Sequence, residues 1–192
     1  MYNIFSIKRK KVELIGKKVF LRFPRMKDWS EWAELRQKSR KFLQPWEPSW
    51  PKNYLTRNFF RQFVDDTYLL MKNKTSYTFF IFHHESNLLM GGINLTNLKE
   101  DNYKSITLGY WMGIDFAGKG YMKDSINSIS DFCFNSLKLN RIEAACLPNN
   151  TASKLVLMKS GFIVEGYAKK YLKINGKLQD HILFAKIKKI DI

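Results

Sequence analysis

Two short stretches carry residue types at spacings suited to chemistry. Gly118-Lys119-Gly120-Tyr121 stands between a strand over residues 106–112 and an amphipathic helix, whose stripe is Met122, Ile126, Ile129 and Cys133 at i, i+4, i+7 and i+11. Neither glycine has a Cβ, so the backbone can approach a ligand closely. The first amides of the helix lack partners inside it and the macrodipole adds partial positive charge, which suits a phosphate or pyrophosphate. On the tripeptide alone, a plain strand-to-helix turn reads equally well. The second stretch, Leu147-Pro148-Asn149-Asn150-Thr151-Ala152-Ser153, follows a strand over residues 141–146 and opens a helix ending at Gly161. Read locally, Asn150 or Thr151 caps that helix and Ser153 is an exposed serine of its first turn.

Positioning these stretches requires a sheet and covering helices. Residues 19–23 read as the first core strand, stopped by Pro24. Asp28-Trp29-Ser30-Glu31 has the spacing of a capping box with Asp28 as cap, opening a helix to about Arg40. The prolines of Pro45-Trp46-Glu47-Pro48-Ser49-Trp50-Pro51 prohibit regular helix there, and helical periodicity returns over 55–71. Residues 77–83 and 88–95 form an antiparallel hairpin around Glu85-Ser86-Asn87, and strand 105–112 completes a meander. The last two strands meet at Asn175-Gly176, a two-residue hairpin turn. The order βααβββαβαββ is mixed α/β with a largely antiparallel sheet. It reads as one domain over 19–192, preceded by an N-terminal extension, 1–18, whose residues 1–16 offer an extra edge strand.

Composition narrows the function classes. A chain of 192 residues that is 45% hydrophobic can bury a core, and no apolar run approaches the roughly 20 residues of a membrane span. At the start, charge follows a short apolar run, the reverse of a secretory signal, so the expected location is cytoplasmic. Cys133 and Cys146 read as buried free thiols of a reducing compartment; a cysteine nucleophile needs a base, and no histidine is near either in sequence. His83 and His84 are strand neighbours on opposite faces and no zinc spacing occurs, so no metal is expected. The net charge of +16 has two readings. One is an acidic partner such as the ribosome, RNA or CoA phosphates. The other is lysine-rich drift, with 25 lysines against 8 arginines spread along the chain.

Gly-x-Gly at one helix start, Asn-x-x-Ser at the next, then Gly161-Phe162 with Glu165-Gly166, resembles the GNAT superfamily of acyl-CoA-dependent N-acetyltransferases. Within it, Phe42-Leu43-Gln44-Pro45-Trp46-Glu47-Pro48 and Asn175-Gly176-Lys177-Leu178-Gln179-Asp180-His181 look like the RimJ branch of the RimJ/RimL-type ribosomal-protein-alanine N-acetyltransferases. The likeness runs from about Val19 to the C-terminus. It implies the GNAT fold, α/β with a largely antiparallel central sheet, flanked by helices, whose parallel strand pair splays to admit acetyl-CoA as cosubstrate.

The resemblance also implies roles for residues. Gly118, Lys119, Gly120 and Tyr121 would hold the CoA pyrophosphate through their main chain, with the Lys119 charge either helping or solvated. Ala117 departs from the usual Gln or Arg of the motif, and Met122 from its small last residue. Trp111, Met112 and Ile114 would line the cofactor, a strand amide meeting the thioester oxygen. Asn150 would touch the pantetheine arm, and Ser153 would lie by the CoA sulfur and assist the leaving thiolate. The implied reaction is direct attack, in a ternary complex, by a protein N-terminal α-amine, that of a ribosomal-protein alanine. A small-molecule amine and a non-catalytic CoA-binding or ribosome-associated module are the alternatives. The base is not carried over, because Thr107 stands where many relatives place a carboxylate. Glu47 is the first candidate, as base or as holder of the amine, with Glu143 and Glu165 behind it. Glu165 is expected to fix the turn after Gly161-Phe162, and Asp180 to order the final hairpin. Trp46, Trp50 and Tyr171 either wall the substrate cleft or pack in the core.

Overall fold

A computed structural model describes residues 13–189. One eight-stranded sheet runs in the order β1-β2-β3-β4-β5-β6-β8-β7. Its strands are β1 Glu13–Ile15, β2 Val19–Arg22, β3 Tyr77–His83, β4 Leu89–Lys99, β5 Ser105–Met112, β6 Arg141–Cys146, β7 Ile163–Ile174 and β8 Lys177–Ile187. The helices are α1 Trp29–Lys38, α2 Arg40–Leu43, α3 Arg57–Lys72, α4 Tyr121–Asp131 and α5 Thr151–Lys159. Every neighbouring pair is antiparallel except β5 with β6. The predicted order holds, with an added edge strand at the start and a single-turn α2 after α1. The expected extension over 1–18 contributes β1; its residues 1–12, and with them the reading of the chain's start, lie outside the described residues.

Both faces of the sheet are covered, which is why β3 reads as the unbroken apolar run Phe79-Phe80-Ile81-Phe82. Phe79 and Ile81 face a core closed by the α4 stripe, where Ile126, Ile129 and Cys133 are fully buried. Phe80 and Phe82 face a second core made by Trp32 and Leu35 of α1 and Phe60 and Val64 of α3. Each fully buried chain of this kind stabilises by about 1.5–3 kcal/mol relative to exposure. Asn175 and Gly176, at φ 45° and 78°, make the tight turn expected between β7 and β8.

The capping box at Asp28 does not form. Asp28 does precede α1, but its carboxylate accepts from Arg22 Nη1 and Nη2, at 2.7 Å each, and from the Arg25 amide at 2.8 Å. Glu31, three residues on, accepts from the Leu89 amide at 2.5 Å. A buried arginine outbids local helix amides for a nearby carboxylate, because a charged partner left alone in the interior is costly. The proline-rich turn is one turn of 3₁₀ helix, Gln44–Trp46, in which Pro45 needs no amide partner.

Candidate active site

The site begins where β5 and β6 part. They pair from Ser105↔Arg141 to Leu108↔Ala144 and no further, although β5 continues to Met112 and β6 to Cys146. Gly113 N donates to Met90 O, so the main-chain groups of Gly113 and Trp111 face β4. By strand alternation those of Tyr110 and Met112 face the opened gap. The unpaired edge is the kind of surface an extended chain pairs with. The side chains divide the other way. Met112 is buried in the α4-side core, so its contribution to the gap is main chain. The Trp111 indole lies on the opposite face over Gly92, where a Cβ would stand 2.6 Å from its Nε1. Ile114, 45% exposed, is open to solvent while its amide donates to Ser39 Oγ at 3.0 Å.

The gap ends at the start of α4. Gly118 and Gly120 have φ of 75° and 84°, and a Cβ built on either meets nothing within 4 Å. Gly120 is the residue before the helix and supplies no side-chain cap. The first-turn amides therefore face open space with the partial positive charge of the helix end, an arrangement that fits a phosphate group. Ala117 is extended at this turn, and the Met122 side chain is buried below it. Tyr121 packs edge-on against Phe116 and His83. Lys119 is exposed.

Across the gap, α5 begins with a cap. Asn150 Oδ1 accepts from Ser153 N at 3.0 Å, so the local reading of Asn150 holds, and its Nδ2 has no partner among the described residues. The Ser153 hydroxyl lies 2.8 Å from the Tyr110 hydroxyl, which also donates to Ser153 O at 3.3 Å. Burial holds the Tyr110 phenol well above its ordinary pKa, so it stays protonated. Burial also raises the Cys146 thiol, against the opposing pull of the Ser153 hydroxyl and the Lys154 charge. Sequence reasoning missed Tyr110; its signal was a tyrosine on the inward face of the strand that precedes the glycine turn.

The opposite wall holds Glu47. Arg36 donates to it twice, Nη1 to Oε1 at 2.8 Å and Nη2 to Oε2 at 2.5 Å, and Trp50 Nε1 donates to Oε2 at 2.9 Å. The Arg36 guanidinium lies 4.5 Å from the Trp50 ring centroid, 4.6 Å from that of Trp111 and 5.3 Å from that of Tyr54. So Trp111 packs in this cluster with its ring while its strand borders the gap. Trp46 is half-buried beside Glu47 in sequence. Tyr171 is 50% exposed and meets His181 edge-on. Asn175 Nδ2 donates to Gln44 O at 2.7 Å, which ties the β7–β8 turn to the proline-rich turn across 131 residues. Arg36 went unseen in the sequence, although an arginine on the buried stripe Trp32, Leu35, Arg36 is itself a signal.

The remaining carboxylates are engaged elsewhere. Arg141 donates to Glu143 at 2.8 Å and to both oxygens of Glu165, and this pairing lowers the Glu165 pKa. Glu165 thus binds across strands and does not fix the turn after Phe162. Asp180 does order the final hairpin, accepting from the Tyr167 hydroxyl at 2.7 Å and the Lys170 amide at 2.8 Å. Among the described residues no helix is long and apolar enough to cross a membrane, and no group of three His, Cys, Asp or Glu could hold a metal ion.

The sequence and fold have counterparts in known proteins. Residues 18–163 match the acetyltransferase (GNAT) domain. The chain is 31% identical to the probable N-acetyltransferase YjcK of Bacillus subtilis (strain 168), over 90% of this chain and 95% of that one. The ribosomal-protein-S5-alanine acetyltransferase of Vibrio fischeri superposes with a TM-score of 0.85 at 31% identity, over 92% of this chain and 96% of that one. Mycobacterium smegmatis RimJ, solved in complex with CoA-disulfide, gives 0.85 at 28% identity, over 92% and 86%.

Proposed function

Since the chain belongs to the GNAT acetyltransferase family and is an N-acetyltransferase, we propose that its acetyl donor is acetyl-CoA and its acceptor the α-amine of a ribosomal protein that begins with alanine. The observation that carries this reading is the opened β5–β6 edge, lying between an uncapped helix start and a hydroxyl pair. The donor half rests on fit. The free amides of α4 suit the pyrophosphate, the gap-facing groups of Tyr110 and Met112 suit an amide-bearing arm, and Asn150 Nδ2 has a donor to give. The acceptor half is supported by the activity for which the Vibrio fischeri relative is named, and a chain of net charge +16 suits an RNA-rich particle.

Bound acetyl-CoA supplies an activated acyl group on a good leaving thiol. The residues do the rest. A gap-facing amide of β5 stabilises the oxyanion as the amine nitrogen bonds to the carbonyl carbon. As the carbon–sulfur bond breaks, the Ser153 hydroxyl, held in place by Tyr110, donates a hydrogen bond to the departing thiolate, which is then protonated by the proton that the amine releases through water. A protein α-amine has a pKa of about 7.7–8.0 and is partly neutral at pH 7, so water can take its proton. Glu47 and the rings of Trp46, Trp50 and Tyr171 hold the acceptor.

The test is calorimetric titration of acetyl-CoA into the protein, followed by thiol release with an alanine-starting ribosomal peptide. Binding with peptide-dependent release is expected. Binding with release only on small amines would replace the acceptor, and absence of binding would overturn the donor site.

A further inference from the structure

Arg36 is 2% exposed, walled by three aromatic rings, and its Nε is buried with no partner among the described residues. Burying a guanidinium is expensive, and apolar packing could fill the same space at lower cost. What the ion pair supplies, and apolar packing would not, is a carboxylate that is rigidly aimed yet electrically cancelled. Building on the acceptor role proposed for Glu47, we infer that Arg36 keeps this wall neutral so that the acceptor amine binds beside Glu47 as its free base.

The chemistry requires such a device. An amine must lose its proton before it can attack a thioester. A lone carboxylate within about 4–6 Å favours the ammonium form and raises an amine pKa by about 1–3 units. That would trap the acceptor in the unreactive state. Paired with Arg36, Glu47 orients without trapping. Its carboxylate has about four acceptor sites. Arg36 takes two and Trp50 a third, which leaves one on Oε1 for a single N–H. The other charged or titratable groups beside the pair are Arg40 of α2, 5.6 Å from the Trp50 ring centroid, and Tyr54, whose phenol is pushed up by burial against the lowering pull of Arg36. Neither residue is substituted in the variants below.

The experiment follows kcat against pH, from about pH 6 to 10, across the α-amine range. Saturating acetyl-CoA and an alanine-starting ribosomal peptide are used. Arg36→Met should move the midpoint of the acidic limb up by about one unit or more, and Glu47→Gln should move it down. The double variant, neutral again, should return near the wild-type midpoint. Arg36→Lys keeps the charge but loses the fork, so it should raise KM for the peptide with the midpoint unmoved. A purely structural role would lower activity equally at every pH. Midpoints unmoved in both single variants would overturn the inference. Should Arg36→Met fail to fold, the downward shift of Glu47→Gln decides alone. Wild-type turnover with unmoved midpoints overturns only the role of Arg36, whereas a wild type that releases no CoA with any α-amine peptide overturns the acceptor reading and this inference together.

Discussion

Helices α4 and α5 both follow a strand of the opened parallel pair, yet their first turns are finished in opposite ways. Gly120 gives α4 no side chain at all, while Asn150 closes α5 with its own oxygen. Orphan amides at a helix start are normally satisfied by a side chain or water. Leaving one start bare and sealing its neighbour assigns them different work. On the proposed reading the bare one is free to receive an anion, while the sealed one holds a hydroxyl, that of Ser153, at a fixed place against Tyr110.

The contrast can be broken by giving α4 a cap. Gly120→Asp places an acceptor and a negative charge where the anion would sit, at a backbone conformation aspartate tolerates better than most residues. Charged hydrogen bonds worth about 3 kcal/mol are lost, so acetyl-CoA affinity should fall roughly a hundredfold by calorimetry. The thermal midpoint should shift by only a few degrees, by about 2–4 °C per kcal/mol. Ser153→Ala tests the other start. Turnover should fall on the order of a hundredfold while acetyl-CoA binding is retained, because only the help to the leaving thiolate is removed. Asn150→Ala uncaps α5 and should cost about 1 kcal/mol of stability, a drop of about 2–4 °C in Tm.

The smallest effect is on the thiols. Ser153→Ala removes a hydrogen bond that holds the raised Cys146 pKa down, so alkylation of Cys146 by iodoacetamide at mild alkaline pH should slow. Burial pushes the Cys133 thiol up to about 12. Its folded value lies above the unfolded value of about 8.5, so its contribution to stability is complete below that pH and lost as pH rises toward the folded value. Denaturant midpoints measured across that window should decline, and decline less in Cys133→Ala.

The features legible in the sequence are those set by neighbours in the chain. The α4 stripe, the glycine turn, the Asn150 cap and the Asn175-Gly176 hairpin depend on residues within a few positions, and all stand where the spacing put them. Partnerships across the chain were not legible. Asp28 was read as a cap because its helix was visible and Arg22's geometry was not. Nothing local announces that Arg141 lies between Glu143 and Glu165, so the sequence offers both as secondary base candidates and assigns Glu165 to the turn after Phe162. Trp111 was assigned to the cofactor as a whole residue, whereas a strand sends main chain and side chain to different places. The Arg36 cluster draws on α1, the proline-rich turn, the residues before α3 and β5, and no linear spacing encodes such a meeting.

The four register pairs that join β5 to β6 are the whole of the sheet's seam between strands β1–β5 and strands β6–β8. On the proposed reading, a donor lodged in the gap would touch both sides and act as a removable cross-link. Occupancy and fold stability are then the same quantity viewed from two ends, and a donor present at a hundred times its dissociation constant would add about 2.7 kcal/mol to the folded state. The protein would be firmest when charged with donor, and loosest in the interval after product has left.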